Sequence, residues 1–144
     1  MNLVERALQF FMAQLPAALG AHGGLLVEGV PAPQGTTTVT ILNGASLSGV
    51  ADLRTLGALV GIQPDAAWDT NIVTFQGSYD NAVWTNLRLF GVEVQIPGVV
   101  ASSLEPVDPM YFLAPRYLKV RSGTAAAPVN QVGDTVITLI CRPI

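Results

Sequence analysis

The sequence predicts a mainly β protein: an antiparallel β-sandwich of about eight strands, preceded by one N-terminal amphipathic α-helix. Short apolar runs separated by Gly- and Pro-rich turns fill the chain from residue 36 onward, whereas helical periodicity is confined to its start. We therefore expect an N-terminal helix in residues 1–19, a Gly/Pro-rich linker in residues 20–35 and the sandwich in residues 36–144.

The helix is predicted for residues 2–15, because its apolar positions share one face at 100° per residue. That face is wider than the apolar stripe of a helix lying on a small domain. Pro16 and Gly20 end the pattern. The helix is therefore either buried under the sheets or packed against copies of itself or another protein. The residues expected to make a partner or oligomer contact are Leu3, Val4, Ala7, Leu8, Phe10, Phe11 and Leu15.

Three strand segments support the β assignment most directly. Residues 116–122 alternate between inward apolar and outward polar side chains, as in a strand with one buried face. Residues 135–142 carry apolar side chains on both faces, which is typical of a central strand whose outer face is also covered. Residues 72–87 are predicted to form the central hairpin, with a turn at residues 77–81. Phe75 and Trp84 are expected to be buried in the core.

The composition indicates a chain that is partly covered by other proteins. Half of the residues are apolar and only 12% are charged, about half the usual charged share. We therefore expect a homo-oligomer, a dimer or a trimer, or a larger assembly. The basic residues are scattered and the net charge is −3, which argues against nucleic acid as a partner.

Membrane insertion and secretion are not expected from the sequence. No apolar run reaches the roughly 18 residues of a membrane span. Glu5 and Gln9 interrupt the pattern that a signal peptide would need. We therefore expect the chain to be made in the cytoplasm.

Catalytic and metal chemistry are not expected either. Cys141 is the single cysteine, which excludes an internal disulfide and a multi-cysteine metal site. His22 is the single histidine, and no cysteine or second histidine supports a metal or catalytic role for it. No nucleophile elbow or phosphate loop is present, and the acidic residues lie mostly in predicted turns. We expect no enzyme activity and no cofactor; a Ca²⁺ site in the turns at residues 64–69 or 77–81 stays open as an alternative.

One hairpin resembles a known pattern. Residues 77–81, Gly-Ser-Tyr-Asp-Asn, followed by Trp84 and Leu87, are similar to the Gly-Ser-x-Asp-Gly-x-x-Trp-x-x-Leu hairpin of discoidin-like, galactose-binding-type jelly rolls. Asn81 stands where that pattern has Gly, and both residue types suit a tight turn. The resemblance implies a jelly-roll sandwich.

A second resemblance is to small β-sandwich virion proteins of tailed bacteriophages, and it covers about residues 36–142. The matching segments are residues 40–48 (Thr-Ile-Leu-Asn-Gly-Ala-Ser-Leu-Ser), 61–64 with Trp68, 74–78 (Thr-Phe-Gln-Gly-Ser), 116–124 (Arg-Tyr-Leu-Lys-Val-Arg-Ser-Gly-Thr) and 137–139 (Ile-Thr-Leu). This resemblance implies a virion structural protein, foremost a capsid decoration or cement protein. The implied partners are the major capsid protein or other virion proteins.

An appendage that binds a receptor or a glycan is the alternative function. Jelly rolls of the galactose-binding type often hold glycans on loop aromatics, and the candidates here are Trp68, Tyr79 and Tyr111. The competing interpretation places the tryptophans in the core and Tyr79 in local turn packing. The sequence leaves open whether the protein sits on the head or the tail and how many copies a particle holds.

Overall fold

A computed structural model describes residue 2 and residues 35–143 of the chain. The chain divides into two units between Ala32 and Pro33, and the fold described below belongs to the second unit, Pro33–Ile144. The helix predicted for residues 2–15 lies outside the described residues apart from Asn2.

The described part is mainly β, as predicted, and its strands pair antiparallel throughout. Several of the predicted strands are shorter or divided, so that eleven short strands and one 3-10 helix are present in residues 35–143. They are β1 (Gly35–Ile41), β2 (Ala51–Asp52), β3 (Ala58–Pro64), β4 (Ile72–Ser78), β5 (Thr85–Asn86), β6 (Arg88–Leu89), β7 (Val92–Glu93), β8 (Gln95–Pro97), β9 (Glu105–Pro106), the 3-10 helix (Pro109–Phe112), β10 (Tyr117–Ser122) and β11 (Thr135–Arg142).

The first sheet has the strand order β1-β11-β3-β9. Strand β11 lies between β1 and β3, which confirms the prediction that it is a central strand. Its inner face buries Ile137, Leu139 and Cys141 completely, whereas Val136 on the other face is 37% exposed. The expected cover for that outer face was the N-terminal helix, which lies outside the described residues.

The second sheet has the order β2-β10-β4-β5, and β8 also pairs with β4. Strand β4 therefore has β10 on one side and both β5 and β8 on the other. The predicted alternation of β10 is present from Tyr117 to Val120, because Leu118 and Val120 are fully buried while Tyr117 and Lys119 are half-buried on the opposite face. Arg121, expected among the outward polar side chains, is only 7% exposed, because it pairs with Glu93. Strands β6 and β7 form a separate two-stranded ribbon.

One hydrophobic cluster collects inward side chains from both sheets. Strand β4 contributes Phe75, whose ring meets that of Phe112 edge to face with 4.9 Å between ring centroids. The buried apolar residues are Val39, Ile41, Ala51, Leu53, Ala58, Leu59, Ile62, Trp68, Val73, Phe75, Val94, Val99, Phe112, Leu118, Val120, Ile137, Leu139 and Cys141.

The central hairpin differs from its prediction in one anchor. Phe75 is a core residue as expected, but Trp84 is half-buried and lies outside the core cluster. The register explains the difference. Gly77 pairs with Thr85, so Trp84 falls on the same outward face as Ser78. Strand β4 also continues to Ser78, so the turn begins two residues later than predicted and still contains Asp80 and Asn81.

Candidate functional site

A narrow hairpin that runs from Leu87 to Val94 projects from the second sheet. Its root is tied to the sheet, because the amide of Leu87 donates to the carbonyl of Phe75 at 2.9 Å and the amide of Val94 donates to the carbonyl of Leu87 at 2.9 Å. Val94 is buried and Leu89 packs against the core. Core packing therefore fixes the hairpin at its base.

The hairpin turns on only two residues, Phe90 and Gly91. Both have positive φ, 49° and 81° respectively, which is the combination that a type I′ turn requires. Asn-Gly and Asp-Gly are the preferred pairs in such turns, and a bulky residue with positive φ is an outlier. The side chain of Phe90 is nevertheless 94% exposed, so burial does not explain an aromatic at this strained position.

A cleft of about 380 Å³ lies beside this hairpin. Three aliphatic side chains of the hairpin form one wall, and Tyr111 of the 3-10 helix contributes an aromatic ring. Tyr111 is held next to the core, since its ring meets that of Phe112 at a centroid distance of 6.4 Å. The lining residues are Leu89, Val92, Glu93, Val94, Gln95 and Tyr111.

The carboxylate of the cleft belongs to a buried polar network. Arg121 Nη1 lies 3.3 Å from Glu93 Oε1, and only 8% and 13% of these two side chains are exposed. The amide of Ala125 donates to the same oxygen at 2.9 Å. Arg121 Nη2 also donates to Asn86 Oδ1 at 2.8 Å. The guanidinium therefore balances the charge of Glu93 from within the protein.

A row of polar and aromatic side chains covers the outer face of the second sheet near this network. Lys119 Nζ lies 4.2 Å from the ring centroid of Trp84, a cation–π contact. The Arg54 guanidinium lies 5.1 Å from the ring centroid of Tyr117. Arg54 also pairs with Asp52 at 2.7 Å, and this hydrogen-bonded pairing lowers the pKa of Asp52 and raises that of Arg54.

Side chains suited to metal or nucleophilic chemistry are dispersed in residues 35–143. Within that range no three His, Cys, Asp or Glu side chains come together as a metal site would require. Cys141 is buried, and burial raises the pKa of its thiol. Among the described residues no helix is long and apolar enough to cross a membrane.

In the two turns considered for Ca²⁺, carboxylates accept hydrogen bonds from backbone amides. Asp65 accepts hydrogen bonds from the amides of Ala67 and Val136. Asp80 accepts from the amides of Ala82 and Val83 at 2.9 Å each, which lowers its pKa below the ordinary value. Such bonds are the usual local role of Asp in turns.

The predicted glycan candidates lie at three different places. Trp68 is buried at 5% exposure, and its indole N–H donates to the carbonyl of Val99 at 3.2 Å. Tyr79 is 67% exposed and lines a smaller cavity of about 160 Å³ beside Leu87 and Pro115. Of the three, Tyr111 lines the larger cleft.

The residues predicted for a partner or oligomer contact lie outside the described part of the chain. They are Leu3, Val4, Ala7, Leu8, Phe10, Phe11 and Leu15.

Sequence reasoning missed Phe90 and the pair formed by Glu93 and Arg121. The Phe-Gly dipeptide between Leu89 and Val92 carried a usable signal, because a two-residue turn containing Gly between β-formers indicates a hairpin. Residues 83–90 were instead predicted as one continuous strand. The ion pair had no local signal, since its partners are 28 positions apart.

Comparison with protein-family models and with curated proteins finds no match to this chain.

Proposed function

We propose that this chain is a non-enzymatic structural protein of a tailed-phage virion, foremost a capsid decoration or cement protein that stabilises the head shell through contacts between subunits. The proposal starts from the resemblance of residues 36–142 to small virion proteins. The main structural support for the proposal is the set of exposed apolar side chains in a chain with few charged residues.

Thirteen large apolar side chains are exposed in the described part, and Phe90, Val132 and Val92 are 94%, 81% and 70% exposed. Single exposed apolar residues are normal on any protein. Here they accompany a charged fraction of only 12%, which leaves little charge to keep a free monomer apart from its neighbours. Contacts with other subunits would cover this surface.

We also propose how the two sheets are arranged relative to each other. The two antiparallel sheets would face each other as a jelly-roll-like β-sandwich, an arrangement supported by the single core cluster that draws on both. Residues 1–19 would form an amphipathic helix that serves assembly or covers a sheet. The partners would be the major capsid protein, other virion proteins and further copies of this chain as a dimer or trimer.

Binding to shells tests this function. Purified protein is mixed with heads of the phage that encodes it, after its own copies have been stripped off, and is sedimented with them. We expect saturable co-sedimentation and a higher rupture temperature for the shells, because buried interface area stabilises the lattice. Heads of an unrelated phage serve as the control. A monodisperse monomer without affinity for shells would contradict the proposal.

A receptor- or glycan-binding appendage is the second candidate, and the cleft beside the hairpin favours it. Tyr111 supplies an aromatic face, while Glu93 and Gln95 supply hydrogen-bonding groups. A glycan array that gives a hit with the wild type and loses it with Tyr111→Ala would support this function. Tyr79→Ala is the comparison variant, because Tyr79 lines the other cavity. Trp68→Ala is unsuitable, since its buried ring supports the core.

A further inference from the structure

From the hairpin and its cleft we infer that two copies of the chain dock by exchanging Phe90. The ring of Phe90 in each copy enters the other copy's cleft, which is lined by Leu89, Val92, Val94 and Tyr111. This contact rests on the proposed function as an assembly protein and identifies one of its interfaces.

The fold of residues 35–143 does not require an aromatic ring at position 90. An Asn would adopt the positive φ of 49° at lower cost, and the ring is 94% exposed. Strained backbone and exposed aromatic area both oppose the folded monomer. A partner that buries the ring would offset the cost of the strained backbone and of the exposed aromatic area.

The hairpin presents Phe90 on an anchored root. Hydrogen bonds from Leu87 to Phe75 and from Val94 to Leu87 anchor its root. Buried Val94 and partly buried Leu89 add packing. Little backbone entropy is then lost when the ring docks, which favours binding.

The side chains that line the cleft are suited to contact with a phenyl ring. Its aliphatic side chains give apolar contact, and the ring of Tyr111 allows an edge-to-face arrangement. Glu93 is balanced by Arg121 at 3.3 Å and by the amide of Ala125. The cleft therefore does not require a charged ligand, and its apolar wall offers contact to an aromatic ring.

A second copy of this chain is the occupant that fits the cleft. Phe90 and the cleft lie on the same hairpin, so a two-fold axis beside it would let both copies exchange their rings at once. Exposed Arg88 donates to the carbonyl of Gly91 within its own hairpin, and Glu93 is already paired with Arg121. The contact therefore rests on the ring and the apolar cleft, and not on charge pairing.

Self-association of Phe90→Asn in the full chain tests the inference. A contact of one hairpin falls among small interfaces, below about 1,200 Å². We therefore expect a dissociation constant of roughly micromolar to tens of micromolar for the wild type. Sedimentation equilibrium over a concentration series should show this step weakened by about 30-fold or more in Phe90→Asn, as for an interface hot spot.

Two controls separate docking from folding. Phe90→Asn should unfold at a temperature no lower than that of the wild type, because Asn suits the turn. Val132→Asn removes another exposed apolar side chain, one that is 81% exposed, and should associate like the wild type. A wild type that shows no self-association, or a Phe90→Asn variant that associates as strongly as the wild type, would overturn the inference.

Photo-crosslinking shows where position 90 docks. With p-benzoylphenylalanine in place of Phe90, we expect intermolecular crosslinks to residues 89–95 or to Tyr111 of another copy. Crosslinks confined to other segments would overturn the inference, as would a glycan that fills the cleft without disturbing the dimer.

If Phe90→Asn abolishes the dimer but still binds shells, docking and the proposed function both stand. If its dimer persists and shells are bound, only the docking contact fails.

Discussion

The Lys119 ammonium nitrogen lies 4.2 Å from the ring centroid of Trp84 on the outer face of the second sheet. The contact shields one face of an indole that the core does not enclose. The other tryptophan, Trp68, lies in the core, and its N–H donates to the carbonyl of Val99 at 3.2 Å. The two tryptophans therefore contribute to stability in different ways.

The tryptophans should respond differently to truncation. Trp68→Ala should lower the free energy of unfolding by about 3–5 kcal/mol, because it empties a core site. Trp84→Ala should cost about 1 kcal/mol, mainly through the loss of a partly exposed cation–π contact. Urea denaturation of both variants measures the difference, and equal losses would contradict the assignment of Trp84 to the outer face.

The pair formed by Arg121 and Glu93 should behave as a buried ion pair. Arg121→Met alone should cost about 3–5 kcal/mol, since it leaves a largely buried carboxylate without its counter-charge. Adding Glu93→Met should cost less than the sum of the two single substitutions. A double-mutant cycle measured by denaturant unfolding gives the coupling, and additive losses would show that the side chains act independently.

Gly123 should tolerate a side chain less well than Gly44, although both have positive φ, 83° and 80°. A Cβ at Gly44 would meet nothing within 4 Å, whereas one at Gly123 would lie 2.5 Å from the carbonyl oxygen of Ala127. Gly44→Ala should cost about 1–2 kcal/mol through backbone strain. Gly123→Ala should cost more, because the loop backbone must also move. Thermal unfolding compares them, and equal costs would rule out the close approach.

Asp80 should make the turn after β4 sensitive to acid. Hydrogen bonds from the amides of Val83 and Ala82 lower its pKa from the ordinary value of 3.8. A carboxylate whose pKa is lower in the folded state stabilises the fold above its unfolded pKa. That contribution is lost as the pH falls through the folded pKa. The stability gap between the wild type and Asp80→Ala should thus be largest near neutral pH and shrink below 3.8.

The matched control for this titration is Asp80→Asn, which keeps an acceptor oxygen but cannot titrate in this range. Asp52 is present in all three proteins, so its own acid response cancels from the comparison. Denaturant midpoints recorded at several pH values check the prediction. A gap between wild type and Asp80→Ala that is independent of pH would contradict the role of the carboxylate.

Local alternation was enough to predict the strands with one clearly buried face. Leu118 and Val120 in β10, and the central placement of β11, followed from the period-two pattern and from apolar residues on both faces. The sheet face on which Trp84 lies could not be predicted in this way, because it depends on the register of the strand with its partner. Here Gly77 pairs with Thr85, which turns Trp84 away from the core.

Buried polar contacts were equally inaccessible to sequence reasoning. Gln131 is only 1% exposed, and its amide bonds to the hydroxyls of Ser122 and Thr135. From sequence alone, a glutamine in a Gly-containing loop is expected to be exposed to solvent. Its burial follows only from contacts between segments that are distant in the sequence. For the candidate site, Tyr111 was among the predicted residues, whereas the strain at Phe90 emerged only from its backbone angles.

The copy number of the chain in intact particles tests the central claim most directly. Quantitative mass spectrometry of purified virions, calibrated against the major capsid protein, measures that number. A shell-stabilising protein that repeats with the lattice should be present on the order of hundreds of copies. Its absence from purified virions would contradict the account, and a few to about a dozen copies would place it on the tail or a single vertex instead of the shell.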